Sequence, residues 1–196
     1  MAIYTDKRIQ RSTQAIKASF INCLTKKPFQ KVTVTEIIRE SNYNRGTFYA
    51  HFESKEQLLQ EIIDDTLQEM IEQIRVPYIK YTEVHLSQLN IEDITLFKYF
   101  QDHADLYKLL LSNHIQVDFR YQLALAIEKL FIKEYEYDIS SKKLDLKWLY
   151  IYRSHGIAGM IIRWIEEDFQ TPQNEMSKQV VELMLVSTES FRIKEL

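Results

Sequence analysis

Residues 33–56 read Thr33-Val34-Thr35-Glu36-Ile37-Ile38-Arg39-Glu40-Ser41-Asn42-Tyr43-Asn44-Arg45-Gly46-Thr47-Phe48-Tyr49-Ala50-His51-Phe52-Glu53-Ser54-Lys55-Glu56, and the punctuation of this stretch decides the fold around it. Thr33 and Glu36 have the spacing of a capping box, in which hydroxyl and carboxylate each satisfy a backbone amide that a helix start leaves without a partner. A short helix over residues 34–41 is expected behind it. Asn42-Tyr43-Asn44 then interrupts the helix. Asn tolerates left-handed backbone and is also a good N-cap, so a tight turn and a new, short helix over residues 45–51 follow. Ser54-Lys55-Glu56-Gln57 is a second capping box; behind it Leu59, Ile62, Ile63, Thr66, Leu67, Met70 and Ile74 trace a fourth helix as far as Arg75. Upstream, residues 6–26 place Ile9, Ile16, Phe20, Cys23 and Leu24 on one helical face and Lys7, Arg8, Arg11 and Lys17 largely off it, until Pro28 stops the helix. Two helices joined by a three-residue turn and preceded by a packing helix are the parts of a helix-turn-helix.

The remainder also reads as helix. Three Gly and three Pro in 196 residues leave too little turn punctuation for sandwiches, barrels or meanders, so the fold class is all-α with about nine helices. Residues 76–90, broken by Pro77, read as a linker. Helices follow over residues 91–102, 105–111, 115–135 and 144–168, and Thr171-Pro172 opens a ninth that runs to about Arg192. No stretch free of charged residues exceeds nine positions, which argues against a membrane span. The first residues run straight into charge with no apolar signal core, so a cytoplasmic location is expected. Cys23 is the sole cysteine and reads as a small core residue. The chain carries a net charge of −3, unevenly spread: residues 1–55 hold ten Lys/Arg against four Asp/Glu, the rest fifteen against twenty-four. That split suits a phosphate-seeking head on a body that repels DNA.

The string Gly46-Thr47-Phe48-Tyr49-Ala50-His51-Phe52-Glu53-Ser54-Lys55-Glu56, with Thr33-Val34-Thr35-Glu36-Ile37 before it, closely resembles the DNA-binding signature of the TetR family of bacterial repressors. The likeness covers about residues 10–63. It implies a TetR-like fold with a DNA-binding domain over residues 1–53 and a ligand-binding and dimerisation domain over residues 54–196. It further implies that Thr33 binds a phosphate at the start of the second helix. Arg45 would enter the major groove, where guanidinium pairs with guanine O6 and N7. Asn44 and Gly46 would lie at the groove entrance, and Thr47, Tyr49, His51 and Lys55 would hold phosphates, with Phe48 and Phe52 in the core. Three positions depart from the usual pattern: Ser41 stands where alanine is common, Asn42 where glycine is, and Tyr43 where a small aliphatic residue is. Tyr43 reads either as larger packing or as an additional phosphate contact.

Beyond residue 63, Leu106-Tyr107-Lys108-Leu109-Leu110 and residues 156–164 are similar to a carboxy-terminal domain of Firmicutes members. Gly156 and Gly159 sit inside the expected eighth helix and with Ala158 make a small-residue surface, open either to close approach by a helix or ligand or to tight packing within one subunit. The resemblance implies a homodimer through the last two helices, with Ile161, Ile165, Val180, Leu183, Met184 and Ser187 at the interface. The two heads would then meet a double-stranded, palindromic operator at half-sites about 34–36 Å apart or somewhat more. It also implies a small-molecule effector, mostly apolar or aromatic, in a pocket that Phe100, His103, Tyr107, Phe119, Tyr152, His155 and Trp164 would line. No cofactor or metal is expected. The histidines form no His-Glu-x-x-His or Cys/His spacing, and neither a phosphate-cradling glycine loop nor a nucleophile elbow occurs, so no catalytic function is expected. An adaptor of the same fold that acts by protein contact without DNA is the rival reading, and activation rather than repression of transcription stays open.

Overall fold

The computed structural model describes residues 2–139 and 144–194. Among them run nine α-helices: α1 Ala2–Lys26, α2 Val34–Ser41, α3 Arg45–His51, α4 Lys55–Arg75, α5 Leu96–Asp102, α6 Ala104–Leu111, α7 Phe119–Glu134, α8 Leu146–Glu166 and α9 Gln173–Leu185. Three short strands accompany them: β1 Glu83–His85, β2 Tyr135–Tyr137 and β3 Ser190–Ile193. The chain packs as two compact units, Met1–Thr66 with Leu109–Val117, and Leu67–Lys108 with Asp118–Leu196.

In the first unit, α1 buries Ser12, Ile16, Phe20, Cys23 and Leu24, the stripe that a helix of 3.6 residues per turn turns toward its neighbours. Ile9 lies outside that stripe at 47% exposed, and the buried position one turn later belongs to Ser12. Val32, Ile37, Phe48, Phe52, Leu58, Leu59, Ile62 and Ile63 complete the core. The α6–α7 connection closes the carboxyl end of α1. His114 Nδ1–H donates to the Leu24 carbonyl at 2.8 Å, and the Phe29 amide donates to the His114 carbonyl at 2.9 Å. A helix end leaves carbonyls unpaired, and a local side chain that reaches them removes the cost of burying them.

The second unit packs α7 against α8 around Phe97, Phe100, Tyr107, Phe119, Leu123, Ile127, Ile161 and Trp164. The Trp164 indole N–H donates to the Thr171 carbonyl at 2.7 Å, and its ring meets Phe97 at 5.3 Å and Phe169 at 4.8 Å. Residues 76–90 are two 3-10 turns and β1 rather than a plain linker, and the fifth helix begins at Leu96 after a further turn at Ile91–Asp93. The ninth helix stops at Leu185 instead of running to Arg192. Residues 190–193 leave it to form β3, the centre of a sheet ordered β1-β3-β2 with both pairings antiparallel. Val84 pairs with Phe191, and Tyr137 with the same residue on the other side. Tyr135 stacks on Phe131 at 5.2 Å and meets Phe191 at 4.7 Å, so the sheet buries aromatic surface that a helical continuation would leave in water. At the end of α7, Glu134 is buried and takes two hydrogen bonds from the Arg75 guanidinium, which joins α4 to α7 within this unit.

Candidate nucleic-acid interface

Local chemistry places α3. Thr33 caps α2, receiving the Glu36 amide at 3.3 Å while its own amide donates to the Glu36 carboxylate at 2.9 Å. Lys27 and both Thr33 donors hold that carboxylate well below its ordinary range, at about 2. Asn42 takes the left-handed backbone at φ 57°. Asn44 caps α3 by receiving the Thr47 amide at 2.8 Å. A Cβ at Gly46 would stand 3.2 Å from that capping oxygen, so a side chain there crowds the cap. Phe48 alone among the seven residues of α3 is buried; with Phe52 it anchors the helix, and the opposite face stands in solvent.

On that face Arg45 is exposed, with no carboxylate partner among the described residues, and its guanidinium carbon lies 5.9 Å from the Tyr49 ring. Asn44, Gly46 and the half-exposed Tyr49 flank it, and Thr47 is partly covered by its bond to Asn44. The remaining expected phosphate ligands have partners inside the unit. The Thr33 hydroxyl donates to the Glu36 carboxylate at 2.9 Å. His51 Nε2 lies 2.7 Å from the Ser12 hydroxyl. Lys55 donates to the carbonyls of Phe29 at 2.9 Å and Val32 at 2.8 Å, with its ammonium 4.4 Å from the Phe29 ring centroid. The second cap differs by one residue from its expected form: Gln57 donates its amide to Ser54 Oγ at 3.2 Å, but its side-chain oxygen receives the amide of Glu53, not of Ser54. A cleft beside the turn joins Asn42, Tyr43, Asn44 and Thr47 to Lys7, Arg8, Arg11 and Ser12 of α1. The three cations drew no functional reading from the sequence, because helical periodicity marks them only as lying off the apolar face.

In the second unit three of the seven expected pocket residues come together, Tyr107 meeting Phe100 at 4.6 Å and Phe119 at 6.1 Å, and the other four lie apart from that cluster or at the surface. Phe100, Tyr107, Phe119 and Trp164 are fully packed in the core, whereas His103 and His155 are exposed. Tyr152, 69% exposed, lines a surface groove between α8 and α9. A small apolar cavity of this unit has other walls, among them Gln73, Tyr78, Phe97, Ile127, Phe131, Tyr135 and Ser177, and encloses about 50 Å³. The Tyr135 hydroxyl is buried without a hydrogen-bond partner among the described residues. The expected interface stripe needs a similar correction. Ile161 and Ile165 are buried within the single chain, and Met184, also buried, shows only its edge at the α8–α9 groove. Leu183 is 52% exposed, with Val180 and Ser187 partly so. Gly156 and Gly159 face open space, with no atom within 4 Å of a Cβ built on either, so neither serves packing inside the chain.

An N-capped, solvent-facing helix with an unpaired arginine, set behind a capped helix and a left-handed turn, defines a helix-turn-helix DNA-binding protein. Residues 21–62 match the model for bacterial regulatory proteins of the tetR family, and residues 91–185 match that for a transcriptional regulator C-terminal region of TetR type. The chain belongs to the TetR family of DNA-binding transcriptional regulators. An HTH-type regulator of Bacillus subtilis, YxbF, is 35% identical over 72 residues, which span 36% of this chain and 19% of that protein. A TetR regulator from Streptococcus agalactiae shares the fold with a TM-score of 0.64 and 24% identity, covering 93% of this chain and 98% of its own. The dihydroxyacetone kinase operon activator DhaS follows at 0.61 and 17%, with 89% and 94% covered. Among the described residues no helix is long and apolar enough to cross a membrane.

Proposed function

We propose that this regulator is a repressor that binds a palindromic operator as a homodimer and leaves it when a small, largely apolar effector binds. The observation that carries the reading is Arg45, exposed and without an ion-pair partner at the start of a rigidly capped helix. A guanidinium so placed is free to pair with a base edge, while Asn44, Thr47 and Tyr49 beside it position the helix on the backbone. Thr33, His51 and Lys55 act mainly by holding the head in shape. Trp148, Tyr152, Leu183 and Val186, all more than half exposed, with Gly156 and Gly159 between the rows, support an α8–α9 dimer face on which a second copy approaches closely. The small cavity walled by Phe97, Ile127 and Phe131 is apolar, which favours an apolar effector, and its roughly 50 Å³ would have to widen to admit one. Release is then a population shift, and going from 1:99 to 99:1 takes about 5.5 kcal/mol of preference for the non-binding state. Selection of bound fragments from genomic DNA by the purified chain, followed by sedimentation of the complex, tests the reading. A palindrome bound by two chains supports it; enrichment of no sequence transfers the protein to the adaptor class.

A further inference from the structure

Some cations of the head are held by partners, and others, Lys31, Arg39 and Arg45 among them, are exposed with no ion pair among the described residues. Lys17 is neutralised by Glu61 and Asp65, each at 2.7 Å, Lys26 by Glu40 at 3.4 Å, and Lys27 by Glu36. The Lys55 ammonium is held by backbone carbonyls. Lys7, Arg8 and Arg11 have no ion pair among the described residues, and all three are exposed. They occupy one turn of α1 at i, i+1 and i+4, where like charges repel and lower helix stability. No ion pair among the described residues offsets that repulsion. The same three side chains line a cleft whose opposite wall is Asn42, Tyr43 and Asn44, the turn that leads into the recognition helix. Tyr43, the residue that departs from the family's small aliphatic, has its ring 36% exposed there instead of buried. Ser12, which also lines the cleft, lies 2.7 Å from His51 at the far end of α3, a contact that ties the basic ridge to the recognition helix.

We propose that this cleft is a second DNA contact, in which Lys7, Arg8 and Arg11 together with the Tyr43 hydroxyl clasp the phosphates of a strand flanking the groove that α3 reads. The inference rests on the DNA-binding reading and adds to it a set of residues and a role. The contact is sequence-independent: it fixes register and affinity, while Arg45 selects bases. Bringing three unpaired cations onto phosphates also relieves their mutual repulsion, so the ridge gains more from DNA than the same charges would if each already held a carboxylate.

The test uses the full chain and the best fragment from genomic selection, with a non-specific duplex of equal length in parallel. Affinity is measured from 50 to 200 mM salt for the parent, for Lys7→Ala/Arg8→Ala/Arg11→Ala, for Tyr43→Phe, and for Lys26→Ala as a control cation on a paired site. Each lost phosphate contact lowers the slope of log K against log salt by about 0.9, so three per head lower it by about 2.7. The ratio of parent to triple-variant affinity is then roughly 40-fold larger at the low-salt end than at the high-salt end, per head engaged. Tyr43→Phe weakens both duplexes alike, Lys26→Ala leaves the slope unchanged, and hydroxyl-radical protection retreats at the outer edge of each half-site. A cooperative thermal midpoint at or above the parent's shows that the triple variant is folded. A slope equal to the parent's overturns the proposal, as does a changed base preference at flanking positions, which would make the ridge a minor-groove reader. If the parent enriches no sequence and binds neither duplex, it is the regulator reading that has failed.

Discussion

Replacing Lys55 with Met separates two roles that the sequence motif alone cannot tell apart. As a phosphate ligand, Lys55 would be dispensable to the fold. In the structure its ammonium bridges the carbonyls of Phe29 and Val32 at 2.9 and 2.8 Å, with a weaker approach to Gln30 at 3.5 Å, and covers the Phe29 ring. A hydrogen bond to a charged group contributes about 1.5–3 kcal/mol, and the two short ones would therefore give about 3 kcal/mol or more. Lys55 is only partly covered, so water can replace some of what is lost, and about 2–3 kcal/mol is the expected cost of Lys55→Met, which keeps the apolar stem over Phe29. The assay is urea unfolding followed by helical circular dichroism, paired with the salt dependence of operator binding under conditions where the variant is still folded. The expected result is a lower midpoint for the transition that includes the head and a salt slope like the parent's. An unmoved midpoint together with a slope reduced by about 0.9 would refute the structural role.

Arg45→Ala should relax base preference at one position in each half-site and cost about 1–3 kcal/mol on the selected fragment, with little loss on non-specific DNA; a uniform loss on both would place Arg45 on the backbone. The Glu36 carboxyl, lowered to about 2 in the fold from an ordinary value of 4.5, makes the unfolded chain the better proton acceptor between those values, so its stabilising effect is complete above about pH 5 and is lost as pH falls toward 2. The stability difference between the parent and Glu36→Gln should therefore be constant near neutrality and shrink below pH 4.5, whereas a difference independent of pH would remove the ionic cause. If the α8–α9 face is the proposed dimer seam, Leu183→Glu places a charge on a half-exposed site of that face, so the fold should survive while sedimentation shows dissociation; an unchanged dimer would move the interface elsewhere.

Legibility followed the range of the interactions. The recognition helix could be read because Thr33 with Glu36 and Asn44 with Thr47 act across three residues, and α2 and α3 have the expected bounds. The exposure of Arg45 was less legible, since it depends on Phe48 and Phe52 anchoring the opposite face of α3. The ligand-site expectation rests on a weaker signal. Aromatic residues with polar tips suit a pocket wall and a core equally, and Phe100, Tyr107, Phe119 and Trp164 are core because α7 and α8 close over them.

What the amino-acid order determined unaided is the helix-turn-helix: its caps, its left-handed turn and the helical periodicity on either side are short-range effects, complete within a few residues. Only tertiary structure decided that residues 190–193 become the middle strand of a sheet, because their partners stand at residues 83–85 and 135–137 and no local signal records such distant pairing. The same holds for the cations. Lys17 and Lys7 lie on one helix and look alike in the sequence, yet the fold brings Glu61 and Asp65 to the first, while the second has no ion pair among the described residues, and only tertiary structure makes that difference.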